Sequence, residues 1–454
     1  MSDLTAPRSQ IDVYARRILL GGVAAVVAIV AYSLFTLLAP KRWDPTLEQF
    51  VAFVETERGL EFDHPVNLRW ADIAAEIEAD RPAAPPGIVV DPWADAHRLL
   101  GLVDPAPSST VSDALTETLA ENAGAFYEPW TETIVLPEGT SETALSVTIV
   151  HELTHALQHQ NGMLGAGTLT DSNDGEFTRT ALIEGDAERI AVNYFWSLSE
   201  TDRQAFLDAV GFDEDVEPPD PGDNFYAASF YASYEIGRPL VETIIETGGI
   251  EALNALLRAK DVGTSERLID PLGASERSAV DAGSEMRLPR GATQAVGDLG
   301  ALTWFQAIAP QVGTERALDA IVGYDDDAFA TFDRAGRTCA RFNVAFDDVM
   351  EAEQFADVMA DLTVESFDIR GTSVEVDICD PIGDPAQQRL GTIIPLVVGS
   401  EATSVHLANG EPADVARCAG LALAATIPAD QPTTEFIGWD AVIEQAPRFL
   451  DDCR

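Results

Sequence analysis

The chain of 454 residues carries 76 Asp and Glu against 28 Lys and Arg, a formal net charge of −48, with Lys41 and Lys260 its only lysines. Such a surface repels nucleic acid and anionic lipid headgroups, so it argues against nucleic acid or any other polyanion as a partner. The charge suits a high-salt habitat or a genome rich in Arg, Asp, Glu and Ala, and identifies no substrate. The uncharged run 18–38 is 21 residues long. At about 1.5 Å per residue it matches the roughly 30 Å hydrocarbon layer of a bilayer. Arg16-Arg17 and Lys41-Arg42 bracket it and Ala39-Pro40 is a poor cleavage site, so a retained transmembrane helix over 18–38 is expected after a tail over 1–17. Arg8, Arg16 and Arg17 nearly balance Lys41 and Arg42, with a lean toward a cytoplasmic tail.

Beyond the anchor, Leu47, Phe50, Val51 and Val54 have helical spacing that Gly59 ends, and Val66, Leu68 and Trp70 alternate like a strand. Pro82, Pro85 and Pro86 break this small α+β lobe, and a helix over about 113–122 follows. Phe126, a turn at Pro129-Trp130 and the run 133–136 read as a short hairpin. Its edge strand can pair with an extended peptide or serve only as structure.

The most informative segment comes next: His151-Glu152-Leu153-Thr154-His155, inside a helix over 141–160 that Ser141 caps and Asn161-Gly162 stops. Residues four apart share a helix face, so His151 and His155 can aim at one metal ion in the H-E-x-x-H spacing of a zinc hydrolase. Glu152 flanks the metal, where its carboxylate can take a proton from water. Leu145, Ile149, Leu153 and Leu157 form an apolar stripe on another side. A third ligand is required. His159 lies about 12 Å along the axis from His151 and is too far. Glu184 fits better, on a second helix over about 176–198 that follows a Gly, Ser, Thr and Asp rich loop. Ala181, Gly185, Ala187 and Ala191 allow close approach there, and packing against the first helix would justify the mid-helix glycine. Glu188, one turn on, can accept the second N–H of a ligand histidine. Asp186 ranks below it, because it points elsewhere and reads as a solvated or capping carboxylate.

An acidic Pro-rich stretch at 213–224 leads to helices over 227–246 and 250–260, split at Gly248-Gly249. Tyr231 and Tyr234 are candidate oxyanion donors that also fit core packing, and His406 is a weaker alternative. Residues 261–296 lack apolar periodicity and read as a long surface excursion, before a helix over 299–308. From about Tyr324 the pattern becomes β-α-β: Ala340, Phe342, Val344 and Phe346 alternate, 348–362 is helical, and Val374, Val376 and Ile378 alternate. A later helix spans 413–425. Cys339, Cys379, Cys418 and Cys453 fit two disulfides outside the cytoplasm, with three pairings open. None is near His151, so a cysteine switch is not expected. No internal repeat, phosphate loop or Ser-His-Asp arrangement is found.

H-E-x-x-H, a loop, then a helix with Glu and a carboxylate four residues on resembles the gluzincin metallopeptidases, with Glu184-x-x-x-Glu188 in place of the usual Glu-x-x-x-Asp. The segments His-Glu-Leu-Thr-His-Ala-Leu-Gln and Ala-Leu-Ile-Glu-Gly-Asp-Ala look like a group of bacterial membrane-anchored gluzincin-like proteins. Glu57-Arg58-Gly59-Leu60, Leu100-Gly101-Leu102, Gly124-Ala125-Phe126-Tyr127 and the run from Gly263 to Pro271 agree. The resemblance implies an α+β fold: a mainly helical metallopeptidase core over 41–322 with a small β-hairpin or sheet, and a C-terminal α+β region over 323–454. It implies Zn²⁺ on His151, His155 and Glu184, Glu152 as general base, and a peptide or protein substrate. The main domain would be anchored by one helix and lie outside the cytoplasm. The alternative is a non-catalytic extracytoplasmic metal-binding or scaffold protein, which a fourth protein ligand would favour. Hydrolysis of another amide or an ester uses the same groups.

Overall fold

Helix-start chemistry sets the elements that matter most. Ser141 and Ser172 accept hydrogen bonds from the N–H groups of Ala144 and Gly175. Each satisfies a donor that would be orphaned in the first turn, and so each fixes where a long helix begins. The computed structural model describes residues 42–79, 91–103, 111–165, 172–211, 224–273, 282–292, 296–385, 390–429 and 448–454. Met1–Asp44 and Pro45–Arg454 form separate units. The expected membrane helix at 18–38 lies outside the described residues, as do 80–90, residues 166–171 of the loop between the two long helices and nearly all of the Pro-rich stretch at 213–224. Among the described residues no helix is long and apolar enough to cross a membrane.

The second unit is α+β and mainly helical. It opens with α1 (Pro45–Arg58), then β1 (Asn67–Ala71), α2 (Val111–Asn122), β2 (Phe126–Glu128) and β3 (Thr133–Pro137). The strands form a sheet in the order β1-β3-β2, with β1 parallel and β2 antiparallel to β3, so β2 is an edge. The long helices α3 (Glu142–Gln160) and α4 (Asn173–Ser197) pack together, α1 lies on α3, and the sheet touches α3 through β2 and β3.

Next come α5 (Phe225–Glu235) and α6 (Gly237–Arg258), both against α4. The expected break at Gly248-Gly249 is present, since Gly249 at φ +75° and ψ 172° is non-helical and divides α6 into two helical stretches, and a further break falls at Ile236. Gly185 is explained by this packing. A Cβ on it would lie 2.2 Å from the carbonyl of Gly237, so the close approach it permits is to the start of α6 and not to α3.

The helix α7 (Ala301–Val312) meets the second sheet, built from β4 (Tyr324–Arg334), β5 (Arg337–Phe346), β6 (Ser366–Arg370) and β7 (Ser373–Ile378) with α8 (Val349–Asp361) against it. Its order is β4-β5-β7-β6, antiparallel throughout. Trp304 of α7 makes edge contacts with Phe342 and Phe355, centroids 5.2 and 5.3 Å apart. One continuous core joins these rings to Leu182 and Leu240. The helices α9 (Ile394–Ala408) and α10 (Ala413–Ala425) close the unit, α9 against α6.

Four strands therefore stand where a β-α-β unit was expected. β4 escaped notice because Asp325 and Asp327 are buried in it, and β6 because four of its five residues are exposed. The expected surface excursion at 261–296 is corrected in its first part: Thr264, Ser265, Glu266, Leu268, Ile269 and Asp270 are buried. The cysteines pair as Cys339–Cys379, which staples β5 to the end of β7, and Cys418–Cys453.

Candidate metal centre

His151 and His155 lie mid-way along α3, and α4 brings Glu184 across from them. His151 Nε2 is 3.1 Å and His155 Nε2 3.3 Å from Glu184 Oε2, and the two ring nitrogens are 3.0 Å apart. All three ligand atoms fall within 4.8 Å of one another. Two imidazole nitrogens and a carboxylate oxygen converge on the same small volume, and with the rings deprotonated there they form a donor set that suits a divalent ion such as zinc.

The electrostatics describe a site that attracts positive charge. Burial by itself would lower the pKa of His151, but the bonded carboxylates of Glu184 and Glu188 outweigh it and hold it well above the ordinary value. His155 is likewise raised, burial being overcome by Glu184. For Glu184, burial alone would raise the pKa, and the facing imidazoles of His155 and His151 override it and hold the carboxyl far below the usual range. A proton or a metal ion answers the same demand, and they compete for the same lone pairs.

Glu152 is buried at the cluster's side. Burial raises its pKa, against the pull of His155 and His151, and its carboxylate accepts a hydrogen bond from the backbone N–H of Tyr127. An edge strand has outward N–H groups with no partner in its own sheet, and here β2 uses one to aim Glu152. That contact was not readable from sequence, because β2 and α3 are joined only in the fold.

Glu188 Oε2 lies 3.5 Å from His151 Nδ1, on the side away from the cluster. His155 Nδ1 instead meets Gln158 Oε1 at 3.0 Å. Asp186 needs correction. It is fully buried rather than solvated or capping, with Arg58 Nε at 2.7 Å and Gln158 Nε2 at 3.0 Å on its Oδ2, and Arg189 at 3.3 Å on Oδ1. It points away from the cluster as expected, but α1 and α6 cover that side.

The cluster opens on a cleft of about 560 Å³ whose walls include Leu119, Phe126, Phe230, Tyr231, Tyr234 and Glu235. Both candidate tyrosines of α5 reach it. Tyr234 lies over His151, ring centroids 5.9 Å apart at 25°, and hydrogen-bonds Glu184. Burial and then the Glu184 and Glu152 charges push its pKa upward, so it remains a hydroxyl donor. Tyr231 lines the wall as well. His159 is outside the cluster, its Nδ1 2.9 Å from the Tyr127 hydroxyl, and His406 sits buried in α9, not among the cleft residues.

No curated protein matches this chain. The model of the family described as "Putative metallopeptidase family (DUF6782)" matches residues 110–214. That stretch runs from α2 through the hairpin and both long helices. Over it the chain resembles a metallopeptidase family, and His151, Glu152, His155 and Glu184 all fall inside the match.

Proposed function

We propose that this chain is a zinc metallopeptidase of gluzincin type, anchored by residues 18–38, with its catalytic part outside the cytoplasm and its chemistry in the body that begins at residue 41. One observation carries the reading: His151, His155 and Glu184 bring three ligand atoms within 4.8 Å of one another beside a buried fourth group, Glu152. Zinc held there supplies Lewis acidity, polarising a carbonyl and making water acidic near neutral pH.

The protein's own groups supply the rest. Glu152, with its pKa raised by burial, takes a proton from the attacking water and passes it to the departing amine. The Tyr234 hydroxyl donates toward the carbonyl oxygen as that atom gains charge, and its place over His151 prefers it to Tyr231. The edge strand borders the cleft at Phe126 and Tyr127, so an extended peptide would lie along it, which favours peptides over other amides. Two disulfides support an oxidising compartment.

Incubation of the purified protein with a mixed peptide library, with chelator and after zinc is restored, tests the reading. Cleavage should stop with chelator and return with zinc. The Glu152→Gln variant should retain zinc and lose cleavage by about 10²- to 10⁴-fold. Unchanged cleavage in that variant, or cleavage indifferent to chelator, would sink the assignment.

A further inference from the structure

A buried arginine stands behind the metal centre without touching it. Arg58 is the last residue of α1, in the segment Glu57-Arg58-Gly59-Leu60, and Gly59 at φ +71° lets the chain leave the helix there. Its guanidinium is fully enclosed, Nε on Asp186 Oδ2 at 2.7 Å and Nη2 on Asn254 Oδ1 at 2.7 Å. Burying an ion pair this deeply brings little net stability. Its position suggests another use.

Gln158 connects this pair to the cluster. Its Nε2 donates to the carbonyl of Ile183 at 3.1 Å and to Asp186 Oδ2 at 3.0 Å. A main-chain carbonyl can only accept, and Asp186 is held as an acceptor by Arg58. The amide therefore has one permitted orientation, with Oε1 toward His155 Nδ1 at 3.0 Å. An acceptor on that nitrogen requires the ring to carry its hydrogen on Nδ1. The Nε2 lone pair is then left facing His151 and Glu184.

We infer that Gln158 is a positioning residue for the metal centre, and that Arg58, through Asp186, sets the polarity of this hydrogen-bonded chain and so the tautomer of His155. The inference rests on the metal-binding reading above. It makes the docking of α1 part of metal binding: the helix bears no ligand, but it fixes the direction of every bond from Arg58 to the ring.

Histidine ¹⁵N NMR and zinc affinity of the full chain provide the test. In the zinc-loaded protein the His155 ring should carry hydrogen on Nδ1. Gln158→Met should weaken zinc binding by about 10- to 100-fold. Arg58→Met should weaken it less, by a route with no contact to the metal. In metal-free Gln158→Met, neutral His155 should lose its preference for hydrogen on Nδ1, a change in the ¹⁵N spectrum that loss of mere packing volume would not produce. A His155 hydrogen on Nε2, or Gln158→Met binding zinc within about threefold of the parent, would overturn the inference. If Gln158→Met does not fold, the tautomer in the unmodified protein still decides. Should the parent take up no zinc, the peptidase reading fails. The tautomer of neutral His155 in metal-free protein would then judge the positioning role by itself.

Discussion

Around Asp174, Glu266, Asp298 and Asp327 each buried carboxyl group meets main-chain N–H groups, whereas the partly buried carboxylate of Glu184 meets two imidazole nitrogens. The first set knits α4, the 264–270 segment, α7 and β4 together. Asp174 accepts from Ser265, Glu266 from Gly323 at 2.6 Å, and Asp327 from Leu299 and Gly300 at 2.9 and 3.0 Å. Nearby, Arg417 Nε grips Asp270 at 2.7 and 2.9 Å. Both regions draw carboxyl groups away from bulk water. What separates them is the partner: donors already in place make a structural joint, while acceptors facing acceptors make a site that calls for a cation.

The comparison can be broken most forcefully at the metal centre. Glu184→Ala should remove stoichiometric zinc, by more than the roughly 100-fold at the upper end for an outer partner, with the fold retained by circular dichroism. Full zinc occupancy in that variant would move the third ligand elsewhere. At the joint the expected loss is of stability. Asp270→Ala removes the buried acceptor of Arg417 and should cost about 1–3 kcal/mol in urea unfolding, because the hydrogen bonds are lost while water screens part of the guanidinium charge left behind. Zinc affinity should not change. A parallel loss of zinc would show that the two regions are not separable.

A smaller effect is expected at Gly185. Alanine is the better helix former by about 1 kcal/mol, but its methyl would meet the Gly237 carbonyl, and overpacking of this kind costs about 1–3 kcal/mol. Gly185→Ala should therefore be destabilising overall, and a neutral result in urea unfolding would mean that α6 can shift without penalty.

The finest test concerns protons. Burial pushes the Asp327 pKa up to about 8, despite the Gly300 N–H and the Tyr324 hydroxyl that favour its charge. The folded state then binds a proton that the unfolded state has released, over the window from about pH 4 to about 8. Its contribution is fully present below that window and is lost as pH rises, at a limiting slope of about 1.4 kcal/mol per pH unit. Asp327→Asn keeps an oxygen for the Leu299 and Gly300 N–H groups and removes the charge. Unfolding midpoints from pH 5 to 8 should fall less steeply in the variant, and identical slopes would refute the assignment.

Legibility followed the range of the interactions. His151, Glu152 and His155 depend on one helix, and the spacing of residues along a helix is a property of the backbone. Glu184 and Glu188 were readable one step further, through a second helix and its small residues. Gln158 was missed although it is one turn from His155, because nothing local says that Ile183 and Asp186 will stand against its amide. The 264–270 segment was misplaced at the surface because its buried groups are polar and hydrogen-bonded, which leaves no apolar period to detect. For β4 the reason was similar, with aspartates turned inward.

By itself the sequence determined the helices of the site, their capped ends, the candidate ligands His151, His155 and Glu184 and an even cysteine count, since each follows from residue identity and short-range geometry. Only the tertiary structure decided the disulfide pairing, the partner of Gly185, the strand that aims Glu152 and the buried chain from Arg58 to His155. These are contacts between residues far apart in sequence, and they form only when packing excludes water and each buried polar group must find its partner within the fold.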